Sequence, residues 1–336
     1  MASLLNVRGG ALMNTFTPPR DYSLEYFTIE SLADSNTISI YNKNCNTLPT
    51  FYYSTDNGAT WNSITAEKGK TKSVATINTG DKILFKCTQD ALSTDWDTYN
   101  GFKAGKSYKV YGNAMSLLYG DTFASNSEFS NNSKYNFAAL FKDNTTLTDA
   151  ENLILPALIA KEGCYNGTFR GCTNLAHGPQ LPTVTPENTC FASMFEGCVN
   201  LEEAPEINID LDQQDEKRIG GALNRMFCMS RTTTVTAKMT KSPVIRSSRI
   251  PNGKSMNNNA NDALNEMFKG NGSLVEVTCL ATSLGNRPPT MNWLLNVSPT
   301  GTFYKAAGMN DWPTGVNGIP SGWTVVDYVE SLRFTV

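Results

Sequence analysis

One short pattern recurs along the second half of this chain, and it limits the fold more than any other feature. Ala139-Leu140-Phe141-Lys142-Asp143-Asn144-Thr145-Thr146-Leu147 aligns with Gly167-Thr168-Phe169-Arg170-Gly171-Cys172-Thr173-Asn174-Leu175. Further copies are Ser193-Met194-Phe195-Glu196-Gly197-Cys198-Val199-Asn200-Leu201 and Glu266-Met267-Phe268-Lys269-Gly270-Asn271-Gly272-Ser273-Leu274, with a weaker one at Arg225-Met226-Phe227-Cys228-Met229-Ser230. The shared core is F-x-x-[C/N/S]-x-x-L. A unit that cannot bury its apolar face alone must stack on its neighbours, so such a period predicts a repeat architecture.

Counting back from each Phe, the fourth residue (Phe137, Tyr165, Phe191, Leu223, Leu264) and the residue just before it are mostly apolar, and the fifth is small. Those offsets share one face of a helix, so each repeat is expected to open with a short amphipathic helix. Six residues beyond the repeat's Leu come Leu153, Leu181, Ile207 and Leu280, with Pro156, Pro182 and Pro205 beside three of them. Proline stops a central ladder, so any strand there is expected to be very short. The Cys/Asn/Ser position matches the place where leucine-rich repeats put a small polar side chain against backbone groups in the turn. Helix, polar rung and short strand together predict an irregular α/β solenoid of leucine-rich-repeat type.

The repeat also accounts for thiols. Cys172 and Cys198 are equivalent positions, as are Cys164 and Cys190, each pair 26 residues apart. Zinc sites use C-x-x-C-like spacing, whereas thiols recurring at the repeat period are expected to be buried and free, with no metal bound.

The repeat phenylalanines are separated by 28, 26, 32 and 41 residues, so the last two intervals carry insertions. Insertions in repeat proteins go to loops on one face, often the binding face. The first is acidic, with Asp210, Asp212, Asp215 and Glu216. The second holds Arg246, Arg249, Lys254 and Asn257, the candidate contact residues. The segment from Gly112 to Gly120 has the spacing of an N-terminal cap, and the aromatic, proline-punctuated stretch after Trp293 that of a C-terminal one.

Ahead of the repeats, from Tyr22 to about Lys109, the period is two. Candidate strands are Tyr26 to Leu32, Thr37 to Tyr41, Thr50 to Ser54, Thr60 to Thr65, Lys72 to Ile77 and Lys82 to Cys87. Asp56-Asn57-Gly58 predicts a tight hairpin turn, because Asn and Gly tolerate positive φ. Short strands at this density predict an immunoglobulin-like β-sandwich, and Cys45 and Cys87 are expected to be reduced packing residues in it. The expected organisation is thus an extended arm at 1–22, a sandwich at 23–110, the solenoid at 111–292 and a cap at 293–336.

The chain has a single histidine, His177, and a net charge of −3. Every Ser-His-Asp or Cys-His nucleophile would have to run through that one imidazole, and a multi-histidine metal centre is excluded. The charge balance gives no basic field for nucleic acid, and no 18-residue apolar run marks a membrane span. Glu202-Glu203 and the Asp210/Asp212 pair are the only obvious acidic pairs for glycoside hydrolysis, and they read as solvated loops. No cofactor is expected, and no enzymatic activity. The amino-terminal stretch lacks the charged n-region and apolar h-region of a signal peptide.

With these residues in view, the coil C-Y-x-x-x-F-x-G-C-T-N-L with its following P-x-L-P resembles the BspA-like leucine-rich repeat proteins found on gut anaerobes and in the genomes of their phages. The closing G-T-F-Y-K and W-P-T-G-V-N-G-I-P-S-G-W-T-V, and the Y-S-T-D-N-G-A-T-W hairpin, are similar to the end and the preceding β domain that the family carries. The resemblance covers roughly residues 26 to 328, and the copies at Phe227 and Phe268 depart from it. It implies adhesion or recognition. Without an export signal it points to a protein of the virion surface made in the host cytoplasm, a head or tail fibre or decoration protein like those of crAss-like phages. Its expected partners are other virion proteins through the arm, copies of itself, and a host surface glycan or protein. A bacterial surface adhesin and a glycan-degrading enzyme are the competing readings.

Overall fold

The structure, a computed structural model, describes residues 20–130, 133–156, 159–212, 220–251, 262–285 and 289–330. The first part is built from β1 (Phe27–Ser31), β2 (Asn36–Lys43), β3 (Thr50–Ser54), β4 (Asn62–Thr65), β5 (Thr71–Ile77), β6 (Lys82–Lys86), β7 (Tyr99–Ala104) and β8 (Tyr108–Asn113). One sheet runs β8-β1-β6-β3-β4 and the other β5-β2-β7, all antiparallel. Alternating side chains from both meet between them, with Phe102 of β7 5.1 Å from Phe27, 4.9 Å from Phe85 and 5.3 Å from Phe51 by ring centroids.

Asn57 and Gly58 both have positive φ, 58° and 91°. The connection is longer than a two-residue turn, because pairing ends at Tyr53 opposite Asn62. Asp56 organises it, accepting from the Thr60 N–H, the Thr60 hydroxyl and the Ser54 hydroxyl, and these donors pull its carboxyl down to about 2.

The expected α/β solenoid does not form. Among the described residues the only α-helix is α1 (Ser116–Tyr119), which precedes the repeats, and the segments expected to be helical are successive turns. Their backbone explains why. Tyr135, Ala139 and Asp143 have φ of 55°, 58° and 59°; Thr189 and Ser193 have 52° and 55°. A left-handed residue at every fourth position is incompatible with a right-handed helix. N–H groups alternate instead between two targets. Leu140 and Lys142 donate back three residues, to Phe137 and Ala139, whereas Ala139 and Phe141 donate across to the carbonyls of Asn166 and Thr168 in the next repeat.

Each repeat is therefore a ribbon of four-residue turns, a rib, tied edge-on to its neighbours. Equivalent bonds link Phe169 to Met194, Phe195 to Met226, Phe227 to Met267 and Phe268 to Trp293. This satisfies the backbone of a buried non-helical segment and offsets the strain of the left-handed residues, about 1–2 kcal/mol each.

Nor, among the described residues, does one continuous sheet follow the repeats, because the short strands fall into separate sets. β9 (Leu147–Asp149) and β10 (Leu153–Ile154) add in parallel to β8, so the first repeat extends the sandwich sheet. β11 (Ile159–Ala160) pairs only with β12 (Thr185–Pro186). Of the remainder, β13 (Lys241–Ile245), β15 (Glu276–Cys279), β17 (Gly301–Lys305) and β18 (Trp323–Asp327) form a parallel four-stranded sheet, while β14 (Arg249–Ile250) pairs with β16 (Ser283–Leu284).

The repeat phenylalanines stack in one column. Ring centroids are 5.3 Å apart from Phe141 to Phe169, then 5.4, 5.5 and 5.7 Å through Phe195 and Phe227 to Phe268, with planes within 16° of parallel. A second column runs Phe137, Tyr165, Phe191. Phe141 also lies 6.0 Å from Phe27, so the column enters the sandwich core directly and the apolar interior is continuous. At the far end Trp293 abuts Phe268 and stacks on Trp312 at 5.6 Å, its indole N–H held by the Gly318 carbonyl.

Candidate functional site

The polar position of the repeat is a backbone device. The Cys172 thiol donates to the Phe141 carbonyl at 3.0 Å and the Cys198 thiol to that of Phe169 at 3.1 Å, while the Asn144 and Asn271 amides donate to Phe102 and Met239. Leu147, Leu175, Leu201 and Leu274 are fully buried below. All eight cysteines are free and buried, Cys45 and Cys87 among them. No group of three or more His, Cys, Asp or Glu among the described residues could hold a metal ion, and no described helix is long and apolar enough to cross a membrane.

The remaining residues singled out in the sequence do not converge. His177 is exposed, and its carbonyl accepts from the Ala150 N–H. Glu202 pairs with Lys238 at 2.8 Å. Asp210 and Asp212 accept from Ser247 and Ser248, which ties the two insertions to each other. Arg246 reaches Glu330 at 3.9 Å, and Arg249 belongs to β14. The second insertion thus begins as paired strands instead of a free excursion. Lys254, Asn257, Asp215, Glu216 and the arm before Arg20 lie outside the described residues. Where the arm meets the sandwich, Arg20 is ion-paired to Glu25 and lies over the rings of Tyr22 and Tyr111.

A groove of about 430 Å³ lies elsewhere, across the outer edges of four ribs. Its lining includes residues two or three before three of the repeat phenylalanines, namely Asn166, then Ala192 and Ser193, then Asn224 and Arg225. Tyr135, Asn188 and Thr189 close one side. Arg170 and Arg231 also line the groove, as does Trp96 from the loop between β6 and β7, with 47% of its surface exposed.

Two nearly buried carboxylates fix these guanidiniums. Glu196, its side chain 10% exposed, accepts from Arg231 at 2.6 and 3.0 Å and faces Arg170 at 3.4 Å. Burial alone would raise its carboxyl, but the Arg231 fork and Arg170 outweigh burial and hold it below its ordinary value. Glu266 sits between Arg225 at 2.5 Å and Lys269 at 2.6 Å and is depressed in the same way. Lys142 lies under Trp96, 5.2 Å from its ring and 3.5 Å from Asp97, and burial, followed by the nearby Arg170 and Lys43, lowers its ammonium.

A general acid needs a carboxyl held protonated near neutrality, whereas both groove carboxylates are held ionised. The lining offers planar amides, hydroxyls, guanidiniums and one indole ring. Sequence reasoning missed it because Trp96 comes from far earlier in the chain. A signal was present, however, in the polar residues that recur just before the repeat Phe at Asn166, Asn224 and Arg225. Against protein-family models, curated proteins and solved structures, the chain matches none.

Proposed function

We propose that this chain is a non-enzymatic recognition protein of a phage virion, a head or tail fibre or decoration protein that presents the Trp96–Arg170–Arg225 groove to the host surface. The observation that carries the reading is that groove. Apart from Trp96, which comes from the loop between β6 and β7, its side chains stand on or beside ribs hydrogen-bonded to their neighbours, and the two carboxylates that hold its arginines are committed to ion pairs. Rigid elements position a binding constellation better than loops do, and a concave site with a few convergent polar groups is where a ligand is expected. The motifs shared with the BspA-like proteins support the same class of role, with the arm as the attachment to other virion proteins.

The test is attachment. Fluorescently labelled full chain is applied to a panel of intact gut bacteria, beside Trp96→Ala and Arg170→Ala variants whose thermal unfolding is unchanged. Labelling of a subset of strains, lost in both variants, is the expected result. Undiminished labelling by both variants overturns the reading.

A further inference from the structure

We infer that the groove takes an acidic oligosaccharide, a sugar ring seated on Trp96 and its anionic group held by the guanidiniums of Arg170 and Arg231. This rests on the recognition role proposed above and goes beyond it by naming the ligand chemistry.

The first ground is charge. The chain as a whole carries −3, but around the groove the balance reverses. The groove lining itself holds Arg170, Arg225 and Arg231 and no carboxylate, and the acids near it, Asp95, Asp97, Asp143, Glu196 and Glu266, are met by Lys43, Lys142 and Lys269 as well as by those three arginines. The acids at the Tyr135 side, Glu162 and Glu187, have their own partners in Lys134 and Lys161. Each groove carboxylate is shared by two cations, and Arg231 occupies Glu196 with two bonds while Arg170 stands off at 3.4 Å. An arginine fork with donors to spare suits a carboxylate or a sulfate.

The second ground is the platform. Lys142, 8% exposed, places its Nζ 5.2 Å from the Trp96 ring, and Trp96 lines the groove with 47% of its surface exposed. A flat apolar face beside amides and hydroxyls matches a pyranose, which has an apolar C–H face and a rim of hydroxyls. The third ground is spacing. Successive ribs advance 5.3 to 5.5 Å by their rings, close to the length of one sugar unit in an extended chain, so an oligosaccharide lying along the column meets one rib per residue. A nucleic acid strand would call for a longer basic track and several stacking rings.

The test is calorimetric titration of the full chain with hexagalacturonate, its fully methyl-esterified form, a sulfated heparin hexasaccharide and a thymidylate oligomer. At least one of the two acidic saccharides should bind about tenfold or more tightly than the ester; which one does so distinguishes carboxylate from sulfate. Trp96→Ala should weaken that binding about tenfold and Trp96→Phe far less, while Arg170→Gln should abolish the preference for acid over ester. Equal binding of acid and ester, no saccharide binding, no effect of Trp96→Ala, or tighter binding of thymidylate would each overturn the inference. If no saccharide binds while Trp96→Ala still abolishes cell attachment, the ligand assignment fails and the recognition role stands. Groove-dependent saccharide binding with unaltered attachment has the opposite meaning.

Discussion

Phe195 and Phe227, 32 residues apart in the chain, stack with ring centroids 5.5 Å apart and planes 1° from parallel. The insertion between them does not disturb the contact, because the Phe195 N–H bonds the Met226 carbonyl and keeps the two ribs in register. Register is set where the ribs touch, and extra residues leave the column elsewhere.

Removing one ring from the middle of the column should therefore be expensive. Phe195 is fully buried between Phe169 and Phe227, so Phe195→Ala should lower the unfolding free energy by about 3–5 kcal/mol. Phe195→Leu, which removes less volume, should cost less than the alanine variant, and the last rib carries Leu294 at this position. Urea denaturation with unchanged m-values checks both, and a loss below about 1 kcal/mol for the alanine variant would contradict a continuous column.

Gly167 separates turn from helix by the sign of one substitution. Its φ is 62°, and an added Cβ would meet nothing closer than Arg170 Cβ at 3.7 Å. Gly167→Ala should destabilise by about 1–2 kcal/mol through backbone strain alone. In a helix interior the same change would stabilise by about 1 kcal/mol. A rise in melting temperature would refute the ribbon.

What the sequence disclosed and what it concealed follow from that geometry. The apolar offsets around Phe169 fit a period of 3.6 and a period of four equally well over so short a stretch. The deciding residues are those that look incidental, Gly163, Gly167 and Gly171, because a helix with glycine at every fourth position would lose about 1 kcal/mol at each. Six sandwich strands were legible from alternation; β8, which crosses the boundary expected at residue 110, was not, and β7 was hidden by Asn100 and Gly101. Both are explained by contacts distant in sequence: the Asn100 amide bonds the Thr47 and Leu92 carbonyls, and a Cβ on Gly101 would lie 2.5 Å from the Leu140 carbonyl oxygen. Backbone crossing that closely leaves no room for a side chain. The groove was illegible for a related reason, since insertion length drew attention to Arg246 and Arg249 while Trp96 is brought in from the sandwich.

The thiols give a prediction about reactivity. Burial pushes Cys87, Cys228 and Cys279 up to about 12 and raises Cys164 and Cys172 well above the ordinary thiol value. Thiolate is the reactive form and all eight cysteines are buried, so a thiol-specific disulfide reagent at about pH 8 should modify none of the eight in the folded chain and all eight in denaturant. Rapid modification of Cys172 or Cys198 without unfolding would show that the polar rung is open to solvent.

The groove ion pairs give a pH dependence of definite sign. Glu196 has a folded value below its ordinary 4.5, so the stability it contributes is present above that value and is lost as pH falls through the depressed folded one. Glu196→Gln should cost about 1–2 kcal/mol at neutral pH, a modest figure because Arg231 is 43% exposed and keeps its hydration. The same variant should lose less stability than the unmodified chain between neutrality and about pH 3, because its neutral amide has no proton to take up. Urea midpoints at the two pH values measure the difference. Equal acid losses in the two proteins would mean that the Arg170–Glu196–Arg231 cluster contributes nothing to the acid response, and would leave Glu266, held in the same way by Arg225 and Lys269, as the next carboxylate to substitute.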